Sequence, residues 1–432
     1  MHVVLISTYE LGHQPFGLAS PKAWLVREGH SVRSVDLAAE RLPESDIQQA
    51  DLVAFYLPMH TATRLALPLI QRVKRLNPRA RLAAYGLYAP LNAELLRSLG
   101  VESIAGGEFE PALVKLARGQ SSSDVSLDRL EFLVPDRSDL GANYARLHHN
   151  GQTKNIAYTE ATRGCKHLCR HCPVVPVYGG QFRVVQRDVV LADIRQQVAA
   201  GAQHVTFGDP DFFNGPAHAI RIVEALHTEF PAVTYDATIK IEHLLKHRDL
   251  LTPLRDTGCV LITSAVESVD DSVLVKLEKN HTRADFIEAV ALTRRAGLTL
   301  QPTFIAFTPW TTLEGYRDLL AVIRELGLAE NVTPIQLALR LLITTNSRLL
   351  ELADVQAVIG PFDRKSLVYP WNHPDPEVDS LARRVFRLVH QAGERSRGEI
   401  FAEICSLAGL SLDNFDLIPR AAIPYLDEPW YC

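Results

Sequence analysis

The sequence predicts an α/β protein: two parallel-sheet modules joined by a linker and followed by a helical region. Three observations lead there. Short apolar segments alternate with amphipathic ones over residues 1–118 and again over 156–345. Gly, Pro and Asn punctuate the segment ends. Residues 119–155 break the alternation, beginning with the polar run Gly119-Gln-Ser-Ser-Ser-Asp124. Residues 346–432 read as mostly helical, with an irregular stretch over 361–376.

In the first module, strands are expected over Val3–Thr8, Ser31–Leu37, Asp51–Leu57, Leu82–Leu87 and Ile104–Gly107. Helices are expected over Ser20–Gly29, Ala62–Leu76, Asn92–Leu99 and Pro111–Ala117. The second of these stops at Asn77-Pro78, because a residue preceding proline is pushed out of the helical region. Alternating strands and helices imply a parallel sheet covered on both faces, a doubly wound domain of flavodoxin-like type. Its ligand site should lie at the carboxyl ends of the strands.

In the second module, strands are expected near Ile156–Thr159, His204–Phe207, Thr234–Thr238, Val260–Ser264, Thr299–Phe307 and Ile335–Leu342. Helices fall between them at Leu191–Ala200, Ala217–Phe230, Ile241–Thr257, Asp271–Leu277, Arg283–Ala296 and Leu313–Leu326. Such a repeat of βα units predicts a partial (β/α)6 barrel, with its chemistry on the loops that follow the strands.

Composition narrows the function classes. The chain has 432 residues, enough for more than one core, and its 47% hydrophobic and 22% charged content is that of a soluble globular protein. A net charge of −5, with both signs mixed along the chain, argues against a dedicated nucleic-acid binder. No apolar stretch has membrane-spanning length, and MHVVLISTYELGH lacks the basic start of a signal peptide, so a cytoplasmic location is expected. In a reducing compartment the six cysteines are not expected to form structural disulfides.

Three of those cysteines lie within eight residues, in Thr162-Arg-Gly-Cys165-Lys-His-Leu-Cys169-Arg-His-Cys172-Pro. Thiolates at this spacing suit zinc or an iron–sulfur cluster. A closed zinc site wants four ligands, and His167 or His171 could supply the fourth. Three cysteines alone leave one iron of a 4Fe-4S cluster open to a further ligand.

A CxxxCxxC loop after the first strand of a partial barrel resembles the radical SAM superfamily. The resemblance implies a 4Fe-4S cluster on Cys165, Cys169 and Cys172, with S-adenosylmethionine (SAM) chelating the open iron. It further implies that His171 contacts adenine and that Gly208-Asp209-Pro210 receives the SAM amino group. Ser264 and Glu267, within Ser264-Ala-Val-Glu267-Ser268, match the segment that contacts ribose or carboxylate, and Lys279-Asn-His-Thr282 looks like the loop that follows it. Arg340, on the expected sixth strand, is a candidate catalytic residue. An external electron donor of flavodoxin or ferredoxin type and a small-molecule or inorganic acceptor are the expected partners.

A flavodoxin-like domain ahead of such a barrel is similar to the subgroup carrying a cobalamin-binding domain, which adds cobalamin as a further cofactor. Gly107, in Gly106-Gly-Glu-Phe-Glu110, resembles that group's glycine-rich segment. His13 and His60 follow the first and third strands at the expected ligand edge. A narrower resemblance is to the CUAEP/CCAEP-tail radical SAM proteins, carried by Pro58–Ala66, Tyr85–Asn92, Thr308–Thr312, Pro334–Leu342 and the tail ending at Cys432. Related enzymes of arsinothricin formation transfer SAM's 3-amino-3-carboxypropyl group to trivalent arsenic. By that resemblance Cys432, with Cys405, would hold a thiophilic acceptor, whereas Cys259 reads as a buried small hydrophobe. The expected reaction is transfer of a SAM-derived group, aminocarboxypropyl in its sharpest form. Cobalamin-dependent methylation, radical rearrangement and a non-enzymatic zinc- or corrinoid-binding module are the alternatives.

Overall fold

A computed structural model describes residues 1–141, 144–393, 395–410 and 420–428. The first sheet contains β1 (His2–Ser7), β2 (Ser31–Asp36), β3 (Leu52–Tyr56), β4 (Arg81–Tyr85), β5 (Ser103–Gly107) and the short β6 (Val125–Ser126). Their order is β2-β1-β3-β4-β5-β6, all parallel. Strands such as Val3–Ile6 and Leu52–Tyr56 are buried along their length, as expected when helices cover both faces. The chain order reverses between β1 and β3, and a crevice opens there at the strands' carboxyl ends.

The remaining strands are β7 (Arg146–His149), β8 (Gln152–Thr159), β9 (Thr162–Gly164), β10 (Phe182–Val184), β11 (His204–Phe207), β12 (Thr234–Thr238), β13 (Cys259–Glu267), β14 (Thr299–Phe304) and β15 (Tyr425–Leu426). The second sheet runs β14-β13-β12-β11-β8-β7-β15. Its five central strands are parallel and form a curled half-barrel; β7 and β15 extend it antiparallel. The helices Pro376–His390 and Arg397–Leu407 place Val378, Val385, Phe401 and Ile404 in the barrel's own core.

Three expectations need correction. The sixth strand over Ile335–Leu342 is absent: Pro334–Leu337 is a single 3-10 turn, and only a bridge between Phe307 and Arg340 continues the sheet. Pro334 brings no N–H to a ladder, and the Gln336 side-chain oxygen accepts the Phe304 amide at 3.1 Å in place of a strand. The helix expected over Ile241–Thr257 is two helices, Ile241–Lys246 and Leu251–Asp256, broken by a 3-10 turn. Pro253 falls in the first turn of the second piece, where its missing N–H costs nothing. The stretch 119–155, expected as linker, contributes β6 to the first sheet and β7 to the second.

The two sheets meet around one buried cation. Arg163 of β9 contacts Glu110 at 2.7 Å, Glu160 at 2.7 Å and Glu108 at 3.3 Å, and all but Glu160 are at most a few per cent exposed. A buried cation is tolerated only with such partners. Arg163→Ala should therefore leave uncompensated carboxylates between the modules and cost about 3–5 kcal/mol. The midpoint of urea unfolding, followed by tryptophan fluorescence, checks this; a loss below about 1 kcal/mol would mean the contact is no more than a surface pair.

Candidate active site

The cysteine loop begins where β8 ends. Residues Thr162–Gly164 pair antiparallel with Phe182–Val184, so the loop leaves and returns on one side. Gly164 turns the chain into Cys165 at φ +76°, and a side chain there would sit 2.4 Å from the Tyr178 ring and 2.6 Å from the Gln181 carbonyl. Only glycine meets both demands. Cys165 and Cys169 are buried and Cys172 nearly so; the Cys172 amide donates to the Cys169 carbonyl at 3.1 Å, closing a turn between these two cysteines.

Burial pushes the Cys165 thiol up and the Cys172 thiol up to about 12. The loop therefore holds protons until a metal displaces them. The Lys240 ammonium donates toward the Cys169 sulfur at 3.8 Å. The donor set suits a 4Fe-4S cluster: three soft ligands on one loop, a cation to balance their charge, and no fourth cysteine beside them in the sequence. His167, one candidate for a fourth zinc ligand, turns instead to His243 (3.2 Å) and Asp211 (3.7 Å), and burial together with Lys240 holds it near pH 4, neutral at pH 7.

His171, the other candidate, is bound by β13. Its Nε2 lies 3.1 Å from Glu267, whose same oxygen accepts from Lys279 at 3.2 Å. Burial opposes ionisation of Glu267, but the Lys279 cation and His171 outweigh it and hold the carboxyl at about 2. Glu267 sits at φ +71° where β13 slips register against β14, a strained backbone that re-aims one side chain. Nearby, the Ser264 hydroxyl and the free nitrogens of His171 and His281 are buried without hydrogen-bond partners. Buried polar atoms left unpaired mark a place for a ligand, and these fit the polar groups of SAM.

Asp209 occupies its expected place after β11, but its oxygens accept from the Ala161 amide (3.0 Å) and the Thr162 hydroxyl (2.5 Å). Burial raises its carboxyl to about 7. Its observed work is to fix the turn that launches the cysteine loop. Gly208 and Pro210 line the crevice between the modules, together with Glu10, Tyr56, Gly107, Tyr158 and Arg163.

That crevice encloses about 200 Å³. Pockets for drug-sized ligands run to roughly 300–1,000 Å³, and a corrin is larger still. The Tyr56 ring stands against Gly17 and Gly86, and the Tyr158 hydroxyl against Gly208. In this conformation the crevice, narrowed by the Tyr56 and Tyr158 rings, does not fit cobalamin. Gly107 has φ +69°, and a side chain there would meet the Ser126 carbonyl at 2.1 Å, so β6 alone suffices to require glycine. A larger hollow of about 1160 Å³ lies along the helix His60–Leu76; it includes Thr8, Arg64 and Lys365 but none of the cysteine-loop residues.

Several expected site residues lie elsewhere or are already engaged. His13 Nε2 is held by Glu428 at 2.8 Å and its ring packs on Tyr158, leaving Nδ1 unpaired. His60 Nε2 bonds the Ser366 carbonyl at 2.8 Å and does not line the crevice. Arg340 points away from the barrel interior: it pairs with Asp379 at 2.6 Å and stacks 3.9 Å over Trp371. With no sixth strand, nothing turns it inward. Cys405, on the inner face of the helix Arg397–Leu407, is buried in the core and cannot serve an acceptor; Cys259 is buried as expected. Cys432 lies outside the described residues. Lys240, Asp211, His243 and Arg163 were missed, since each gains its meaning from neighbours far along the chain.

Residues 159–323 match the family model of the radical SAM superfamily. The chain is 26% identical over 337 residues to the hopanoid C-3 methylase of Methylococcus capsulatus, covering 72% of this chain and 64% of that protein. It thus spans somewhat less than two thirds of this relative's length. The fold is similar to the cobalamin-dependent S-adenosylmethionine radical enzyme OxsB (TM-score 0.72, 14% identity, 94% of this chain and 71% of that one). It is also similar to the radical S-adenosylmethionine methyltransferase TsrM from Kitasatospora setae (TM-score 0.67, 15% identity, 95% of both chains).

Two outcomes are expected of the site. Glu267→Gln should loosen His171 and Lys279 and reduce SAM affinity by about 10–100-fold, the usual cost of losing an outer-shell partner, measured by equilibrium dialysis of the cluster-loaded protein; unchanged affinity would leave Glu267 a purely structural residue. Because Glu267 is depressed from its ordinary 4.5 to about 2, its stabilisation is present above pH 4.5 and is lost as pH falls through 2. In the Gln variant, acid unfolding should lose that part of its pH dependence. Arg340→Ala, removing a partly exposed ion pair, should change stability by about 0–1 kcal/mol and leave SAM binding intact. With three cysteines close in sequence, a buried Glu267–His171 pair beside them and a family model that matches residues 159–323, the second module of this chain is similar to the radical SAM superfamily.

Proposed function

We propose that this chain is a radical SAM transferase that moves a methyl group from SAM to a small organic acceptor. The observation that carries the reading is the three-cysteine loop braced from β9, β11 and β13, in a chain similar to a protein named for methylation, the hopanoid C-3 methylase. The likeness of fold to TsrM, named as a methyltransferase, is in keeping with it. Aminocarboxypropyl transfer to arsenic has no comparable support: of the two thiols it relies on, Cys405 is locked in the core.

Bound to the loop, the cluster would supply one electron and an open iron for SAM. The protein's residues do the rest. Cys165, Cys169 and Cys172 would hold the cluster, with Lys240 placed beside the Cys169 sulfur to offset its negative charge. Ser264, His171 and His281 offer unpaired polar atoms to orient the cofactor. Tyr56 and Tyr158 keep the crevice beside the loop narrow, which excludes water. Cobalamin, as carrier of the methyl group, would require those two rings to move.

Product analysis tests the proposal. The anaerobically reconstituted protein, given methyl-labelled SAM, dithionite and a small-molecule extract to supply the acceptor, should yield S-adenosylhomocysteine with the label in a methylated product, and Cys169→Ala should abolish both the visible absorbance of the cluster and the product. Methylthioadenosine as the main product would overturn methyl transfer in favour of aminocarboxypropyl transfer; 5′-deoxyadenosine alone would overturn group transfer altogether. Hydroxocobalamin retained through gel filtration, with accompanying quenching of tyrosine fluorescence, would identify the corrin route.

A further inference from the structure

We propose that His167, Asp211 and His243 form a second metal site, separate from the three-cysteine loop, for a divalent first-row transition ion such as Zn²⁺. One ligand atom from each residue lies within 4.8 Å of the other two. The three come from different segments: His167 from the cysteine loop, Asp211 from the turn after β11, and His243 from the helix after β12.

The distances suit an ion. Two donors each about 2.0–2.1 Å from a tetrahedral zinc are about 3.3 Å apart. His167 Nε2 is 3.2 Å from His243 Nε2 and 3.7 Å from Asp211 Oδ2. Glu242 Oε2, 3.6 Å from the other nitrogen of His167, stands ready as an outer partner.

The satisfaction pattern is an independent sign. Asp211 Oδ1 is used, accepting the Phe213 amide at 3.2 Å. Asp211 Oδ2 and His243 Nδ1 are only 2.6 Å apart, yet neither makes a well-directed hydrogen bond; Glu242 Oε2 makes none either, with the Lys240 ammonium at 3.7 Å. Asp211 and His243 are at most 1% exposed. Buried polar atoms crowded together without bonds are costly; a cation held by the Nε2 atoms of His167 and His243 and by Asp211 Oδ2 would satisfy that carboxylate oxygen, with His243 Nδ1 left facing the same carboxylate as its outer partner. Two histidines with one carboxylate is a set that zinc, iron and cobalt all accept.

An ion here would tie the cysteine loop to two strand-end loops through His167, which sits between Cys165 and Cys169. Its function would be to hold the loop in shape, without a part in the radical step.

The test uses the full chain with its cluster reconstituted, dialysed against Zn²⁺ and analysed for zinc and iron together. The expected result is one zinc per chain beyond the cluster. Asp211→Asn, which keeps the helix-capping oxygen, and His243→Gln should each weaken zinc binding by at least about tenfold with iron content unchanged. A Cys165→Ala variant, unable to hold the cluster, should still bind the zinc. If the wild type binds no zinc, or if zinc survives both His243→Gln and Asp211→Asn, the site does not exist. If zinc is lost in Cys165→Ala alone, it was bound to cysteines, and the proposal fails. Co²⁺ in place of zinc gives a second readout: a tetrahedral ligand-field spectrum in wild type that the His243→Gln variant lacks.

Discussion

The rest of the structure depends on how one buried guanidinium is satisfied. Arg163 lies two residues before Cys165, so wherever it is held, the cysteine loop starts. Glu108 and Glu110 reach it from the first module and Glu160 from the second, while Phe109 and Phe132 lie 4.9 Å from its charge centre. Burial raises Glu108 to about 7, so near neutrality it shares its proton and the cluster of charges is not overloaded with anions. The Gly-Glu-Phe-Glu segment thus serves the partner module directly. An arginine suits this role because its fork can bond several carboxylates at once and stays charged in a low-dielectric setting.

From that anchor the loop is held by side chains delivered from successive strand ends. Asp209, after β11, fixes the Ala161 and Thr162 backbone and hydroxyl. Asn214, a few residues on, donates to the Gly164 carbonyl and accepts from the Lys166 amide. Glu267, at the bulge of β13, holds His171. Parallel strands all end on one side of the sheet, so each can offer one polar group to the same loop. Positions that resemble cofactor contacts are, in this conformation, also the supports of the cysteine turn. A site held on several sides loses less entropy when it takes up its ligand.

Much of this was legible early. Strands β11 and β12 and the helices Asp271–Leu277 and Arg283–Ala296 have the expected bounds, because apolar period and clear caps coincide there: Thr282 with Asp285 forms a full capping box. The cysteine spacing announced its chemistry because thiolates brought together by so few residues have few other uses. The sixth strand misled because Ile335–Leu342 is apolar enough for a strand, yet Pro334 and the Gln336 side chain divert it. Arg340 followed it into error. His60 faced the expected edge by chain position, but the Ser366 carbonyl, 306 residues away, claims its ring.

The sequence by itself determined the α/β alternation, the order of the modules and the three sulfur ligands. All of these depend on residues close in the chain, through period, caps and spacing. Tertiary structure decided which charges pair and what the crevice admits. Arg163 finds Glu108 and Glu110, His167 finds Asp211 and His243, and Tyr56 and Tyr158 fill the space between modules. Those partners lie tens of residues apart, and their interaction depends on burial and on distances of a few ångströms, which no local pattern encodes.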